Sequence, residues 1–189
     1  MPLREGGYTR METLPTEERL KEPVNCQAHW YYFLGPWVRG RTVLEVGAGS
    51  GDGVDILRWR GATTVHGLDP LPLRSDIIDT PFETVTPKSY DIVTACDVIE
   101  HVERDVVFFH HMLTVAREFV FFSTPNWNYS HAENRYHVRE YSPAELQALV
   151  GNRRHHIFSS NEKNEIRAVR DFDQVEHNFG VLLESIKWT

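Results

Sequence analysis

The sequence predicts a doubly wound α/β fold: a mostly parallel sheet with helices on both faces. Three observations carry this. Short apolar runs recur at TVLEV (42–46), TVHGLD (64–69), YDIVTAC (90–96) and EFVFFST (118–124). Segments of helical period lie between several of them. The first run opens straight into a glycine-rich turn, GAGSGDG (47–53). Apolar runs bounded by turn residues are typical of strands buried on both faces, and their alternation with helices is typical of parallel βαβ units.

The elements follow in order. Residues 1 to about 24 are polar and mixed in charge. In QAHWYYFLGPWVRG (27–40), Trp30, Phe33, Leu34 and Trp37 fall at helical spacing, as in a packing helix or a lid whose aromatics line a pocket. VDILRWR is a helix that stops near Gly61. A short strand is expected within RSDIIDTPFETV (74–85). In ERDVVFFHHMLTVAR the stripe Val106, Phe109, Leu113 and Ala116 predicts a helix. Pro125 stops the strand after it. SPAELQALV opens with a cap at Ser142, Pro143 at the first helical position and Glu145 completing a capping box; Gly151 ends it. RHHIFSS and FGVLLESIK are the last strands, separated by a polar, turn-rich segment. Residues 1–40 read as an N-terminal helical lid segment and 41–189 as the core of a single domain.

Composition bounds the function. A chain of 189 residues can bury one full core. The formal net charge of −7 argues against a broad grip on nucleic acid, which needs a basic face. Cys26 and Cys96 make no disulfide framework and have no metal spacing, which fits a reduced compartment. No apolar run approaches the ~20 residues of a membrane span. The first residues lack the apolar core of a secretory signal, so Asn128-Tyr-Ser130 is not expected to carry a glycan. The expected location is the cytoplasm.

In such a sheet, ligands bind beyond the carboxyl ends of the strands. Those ends hold Glu45 to Gly53, Asp69, Cys96 to His101, and Thr124 to Asn126. The loop is not the dinucleotide fingerprint: counted from Gly47 its third glycine is Asp52, and from Gly49 it is Val54. Glu45, two residues before the loop, is hostile to a pyrophosphate and suits a cationic or amino-acid-like ligand. Asp69, closing the second strand, can accept hydrogen bonds from both hydroxyls of a ribose.

VLEVGAGSGDG, HGLDP, SYDIVTACDVIEHV and FVFFSTPN together resemble the successive motifs of the class I S-adenosylmethionine-dependent methyltransferases. HVREYSPAEL (137–146) resembles a segment of their ubiquinone-biosynthesis-type, small-molecule branch. The resemblance covers roughly residues 40 to 150. It implies a Rossmann-like, seven-stranded sheet and S-adenosyl-L-methionine as cofactor. Gly47, Ala48, Gly49 and Gly51 would wrap its methionine part, with Glu45 beneath the amino group. Asp69 and Pro70 would hold the ribose, Asp79 and Thr80 would lie near the adenine, and Asp97 and Val98 would face the methyl end.

Methyl transfer from a sulfonium needs positioning more than side-chain chemistry. A base helps when the acceptor is an alcohol, phenol or protonated amine. His101, His131 and His137 lie where an acceptor is expected, and His101 and His137 are the candidate catalytic groups. The paired histidines, His110 with His111 and His155 with His156, receive no role, because one of each pair should face solvent. The connection NWNYSHAENRYHVREY (126–141) and the aromatic N-terminal helix are expected to form the acceptor pocket. The expected partner is a small-molecule methyl acceptor at oxygen or nitrogen, without nucleic acid or membrane, and no metal ligand is assigned.

Two alternatives remain open. Asp97, Glu100, His101 and His137 also resemble, in order, the metal-binding pattern of RNA 3′-end 2′-O-methyltransferases. The departures are Asp in the place of Glu and one later histidine. The other is a cofactor-binding partner subunit without catalysis.

Overall fold

A computed structural model describes residues 27–131, 134 and 136–185. The first 26 residues of the expected lid segment, Cys26 among them, and the last two of the expected final strand lie outside the described residues.

The helices are α1 (Ala28–Phe33), α2 (Gly35–Val38), α3 (Asp52–Trp59), α4 (Asp105–Val115), α5 (Trp127–Ser130) and α6 (Pro143–Val150). The strands are β1 (Thr42–Val46), β2 (Thr64–Leu68), β3 (Ile77–Ile78), β4 (Tyr90–Cys96), β5 (Ala116–Pro125), β6 (His155–Ser160), β7 (Ile166–Val169) and β8 (Asn178–Glu184). They form one sheet in the order β3-β2-β1-β4-β5-β8-β6-β7. The first five run parallel, and β8 is antiparallel to both β5 and β6. The chain therefore reverses its direction of winding between β1 and β4, which opens a crevice beyond their carboxyl ends.

Among the described residues the sheet has eight strands, where seven were expected. The additional one, β7, pairs antiparallel with β6 at the edge. None of the four residues of IRAV is fully buried, and Arg167 and Ala168 are both exposed, so its place comes from backbone pairing and not from an apolar run.

Alternation along each strand divides the core into two layers. Val43, Ile92, Phe121 and Leu182 face Trp30, Leu34 and Leu57 of the first helices. Their neighbours Leu44, Val93, Phe122 and Val181 face Phe109 and Met112 of α4 and Leu146 of α6. The capping box of α6 forms as the sequence predicts: Ser142 Oγ accepts from Glu145 N, and Glu145 Oε2 accepts from Ser142 N. The expected stripe of α4 holds in part: Phe109 is buried and Leu113 packs against the core, while Ala116, also buried, already opens β5. Val106 is exposed, and Phe108, Phe109, Met112 and Val115 turn inward.

Pro36 divides the aromatic segment into α1 and α2. Trp30 is fully buried against Phe121. It fills the place of a side chain at Gly180, where a Cβ would stand 2.6 Å from the indole. The first helix is thus keyed into β8. Among the described residues no helix is long and apolar enough to cross a membrane. Trp30→Ala should lower the unfolding free energy by about 3–5 kcal/mol, read by urea denaturation.

Candidate cofactor and acceptor site

The turn after β1 is built by a carboxylate. Asp69 Oδ2 accepts from Gly49 N, and its Oδ1 accepts from Leu71 N, both at 2.8 Å. Gly47 N and Ala48 N donate to the Leu68 carbonyl. One acid thus ties the glycine loop to the end of β2. Gly47 (φ 74°) and Gly49 (φ 48°) lie in the left-handed region. A side chain at Gly47 would strike Val98. Beside Gly49 there is open space, so a ligand can approach the main chain there.

The loop borders a cavity of about 980 Å³. That is the upper end of the range for ligand pockets, with room for a cofactor and a second molecule. Gly47, Ala48, Gly49, Asp69 and Pro70 line one end. Asp79 and Thr80 line it beside Leu73 and Phe82, whose apolar surfaces suit a planar ring. Asp97, Val98, His101 and His137 line the other end with Glu100.

Glu45 and Gly51 stand behind the wall. Gly51 caps α3, its N–H on the Ala48 carbonyl and the Arg74 side chain over it. Glu45 is fully buried, with one oxygen bonded by Tyr31 Oη at 2.6 Å and the other by Thr94 Oγ1. Burial pushes its carboxyl up to about 7, against the two hydroxyls, which pull it down. Tyr31, and not Glu45, faces the cavity. Its ring passes over Gly53, where a Cβ would meet it at 2.4 Å.

Asp97 follows β4 with φ 52°, a strained value for a residue with a side chain. The turn directs its carboxylate to Ser123 Oγ, Gln27 Nε2 and Asn178 Nδ2. Burial raises its pKa, which the Ser123 and Gln27 bonds oppose. Glu100 is wholly buried. Its Oε2 accepts from Thr124 Oγ1 at 3.1 Å, and its Oε1 has no hydrogen-bond partner among the described residues. Burial, and next the charge of Asp97, lift this carboxyl well above the ordinary range.

The main chain brings His137 to this end. The Glu100 carbonyl accepts from Val138 N at 2.8 Å and Arg139 N at 3.1 Å, which docks the later segment on the 3₁₀ turn Ile99–His101. The two imidazoles then meet edge to face, centroids 4.9 Å apart. His101 Nδ1 lies 3.0 Å from the Tyr136 carbonyl, an acceptor only, so Nδ1 carries the proton and Nε2 keeps its lone pair. Burial first, and His137 next, lower the His101 pKa to about 4, so the ring is neutral at physiological pH. One ligand atom each from Glu100, His101 and His137 lies within 4.8 Å of the others. Asp97 is not in that group.

Several placements were not read from the sequence. Gln27, Tyr31, Asn134 and Tyr136 line the cavity. Gln27 and Tyr31 lie in the aromatic segment, and Asn134 and Tyr136 in the 126–141 connection, both expected at the acceptor pocket, although none of the four was singled out. His131 is exposed and lies off the cavity wall. His110 and His156 face solvent, as their paired neighbours led one to expect.

The Glu45 shift has a stability consequence. Its folded-state pKa is raised, so its contribution is full below the ordinary 4.5 and is lost as pH rises through about 7. Wild-type stability should fall across this interval by about 3 kcal/mol at most. Glu45→Gln should remove that slope in urea titrations run as a pH series.

The sequence matches a family model described as a methyltransferase domain over residues 21–173. No curated protein matches it. Among solved structures, it is similar to a methyltransferase of Thermotoga maritima described as a possible histamine N-methyltransferase. Identity is 11% and the TM-score 0.61, over 84% of this chain and 92% of that one. A methyltransferase from Aquifex aeolicus gives 13% identity and a TM-score of 0.63, over 89% and 96%. The small RNA methyltransferase HEN1 gives 15% and 0.65, over 98% of this chain and 27% of that one. These identities show a shared fold. With the family model they establish that the chain belongs to the S-adenosylmethionine-dependent class I methyltransferases and is an enzyme of that class, with S-adenosyl-L-methionine as its cofactor.

Proposed function

We propose that the chain methylates a hydroxyl of a small-molecule acceptor seated at the Glu100–His101–His137 end of the cavity, where these residues hold a divalent cation. One observation carries the reading. Glu100, His101 and His137 each bring one potential ligand atom within 4.8 Å of the others, and Glu100 Oε1 is buried without a hydrogen-bond partner among the described residues. Burial disfavours the charge of this carboxyl and leaves one of its oxygens without a partner, and a cation beside it relieves both. A mixed oxygen and nitrogen set suits a divalent metal. Such an ion supplies a positive charge that polarises an acceptor oxygen.

The other residues serve the donor. Asp69 lines the cavity, and its carboxylate can accept from ribose hydroxyls there. The gap beside Gly49 admits the amino-acid end of the donor, with Asp97 available to an ammonium. Thr124 donates to one oxygen of Glu100, which leaves the other for a cation. The sulfonium methyl is already activated, so these residues mainly bind, orient and exclude water. The net charge of −7 and the small-molecule likeness of HVREYSPAEL support an acceptor other than a polyanion.

The cluster also favours a second reading, RNA 3′-end 2′-O-methylation, because three residues of that pattern meet here. HEN1 is described as a small RNA methyltransferase, and its likeness adds RNA to the assay.

Labelled methyl transfer to polyols, catechols and single-stranded RNA oligonucleotides, with Mn²⁺ or with EDTA, tests these readings. Turnover of a small hydroxyl acceptor, abolished by EDTA, is the expected result. Turnover unaffected by EDTA overturns the cation, and turnover of RNA alone overturns the small molecule. Glu100→Gln should cut turnover about 10- to 100-fold or more while leaving S-adenosylhomocysteine affinity nearly unchanged. Asp69→Ala should weaken that affinity by roughly 10- to 100-fold in calorimetry.

A further inference from the structure

The two imidazoles at the acceptor end are held by different groups. His101 rests on a backbone carbonyl, that of Tyr136. His137 rests on a side chain: its Nδ1 lies 2.5 Å from Glu140 Oε1. Glu140 is buried and does not line the cavity. Its other oxygen accepts from Ser130 Oγ, at the end of α5. Ser130 N donates to the Asn126 carbonyl, and Asn126 Nδ2 donates to the carbonyls of Val175 and Glu176 at 2.8 Å. Glu140 is therefore fixed to the end of β5 and to the turn before β8.

An ionised carboxylate only accepts, so the nitrogen facing it carries the proton. The other nitrogen then has a lone pair and a set direction. A carboxylate behind an imidazole in this way orients the ring and raises its basicity, and its loss weakens ligation without removing a ligand.

We infer that Glu140 is a positioning residue: its hydrogen bond to Nδ1 fixes the His137 tautomer and turns Nε2 toward the point shared with Glu100 and His101. This rests on the reading of that cluster given above. The bond is one residue turn long, from His137 to Glu140, and both side chains are nearly free of solvent. Ring and carboxylate are therefore set before any ligand arrives.

Nitrogen NMR of the full chain labelled at histidine reads the tautomer directly, with His137 assigned by comparison with His137→Asn. In the wild type its ring should be in the Nδ1–H form. Glu140→Met, close in length but without an acceptor, should give a mixture of tautomers. Glu140→Gln, whose amide oxygen still accepts, should restore the Nδ1–H form. Mn²⁺ affinity, measured by calorimetry with S-adenosylhomocysteine present, should fall about 10- to 100-fold in Glu140→Met and less in Glu140→Gln. A wild-type ring in the Nε2–H form overturns the inference without any variant. So does a Glu140→Met protein that keeps the Nδ1–H ring. If the wild type binds no Mn²⁺, the cation reading fails, and the tautomer measurements alone decide the role of Glu140.

Discussion

Two hydrogen bonds to one carbonyl decide where the acceptor end lies. The Glu100 carbonyl, at the turn after β4, receives the amides of Val138 and Arg139. Without them, His137 would hang on a long connection with no fixed relation to His101. With them, two histidines 36 positions apart are held face to edge. The same residue contributes its side chain to the wall and its backbone to the docking, so the acid and the second histidine are placed by one turn. This follows from the usual division in α/β folds: a stiff sheet sets strand ends, and loops over those ends set chemistry.

At the donor end an acid again organises the backbone. Asp69 ties the glycine loop to β2 while still presenting its carboxylate to the cavity. Glu45 does the opposite and turns away, its oxygens closed by Tyr31 and Thr94. Two acids at adjacent strand ends thus have different tasks, and the difference lies in what reaches them. Asp69 meets amides of a turn. Glu45 meets hydroxyls in a layer of packed helix and strand, where a charge is costly. The division explains why the carboxyl with the larger desolvation is the one behind the wall.

What could be read from the sequence was what local chemistry writes strongly. Buried parallel strands appear as apolar runs, and Ser142-Pro143 with Glu145 announces a helix start. The glycine loop and Asp69 stand at strand ends, and their likeness to a family was visible for the same reason. Other features depend on partners distant in sequence. β7 is held by backbone bonds to β6, so IRAV carries little sign of it. Spacing grouped Asp97 with Glu100 and His101, yet the left-handed turn at Asp97 sends its carboxylate to Ser123 and Gln27. Glu140 carries no sequence signal beyond its distance from His137, since its partner Ser130 sits in another element.

The position of β8 bears on how the chain reaches this state. β8 follows β6 and β7 in the sequence but lies between β5 and β6. During synthesis the β6–β7 hairpin therefore emerges with no place in the growing sheet, and the edge of β5 stays unpaired. Both wait for the strand between them. Trp30 waits as well, because the notch at Gly180 that receives its indole belongs to that same strand. Contacts of such long separation close late and slowly. An interrupted chain that has passed β7 but not β8 displays an open strand edge and an uncovered tryptophan, the features by which quality control and aggregation both recognise an unfinished protein.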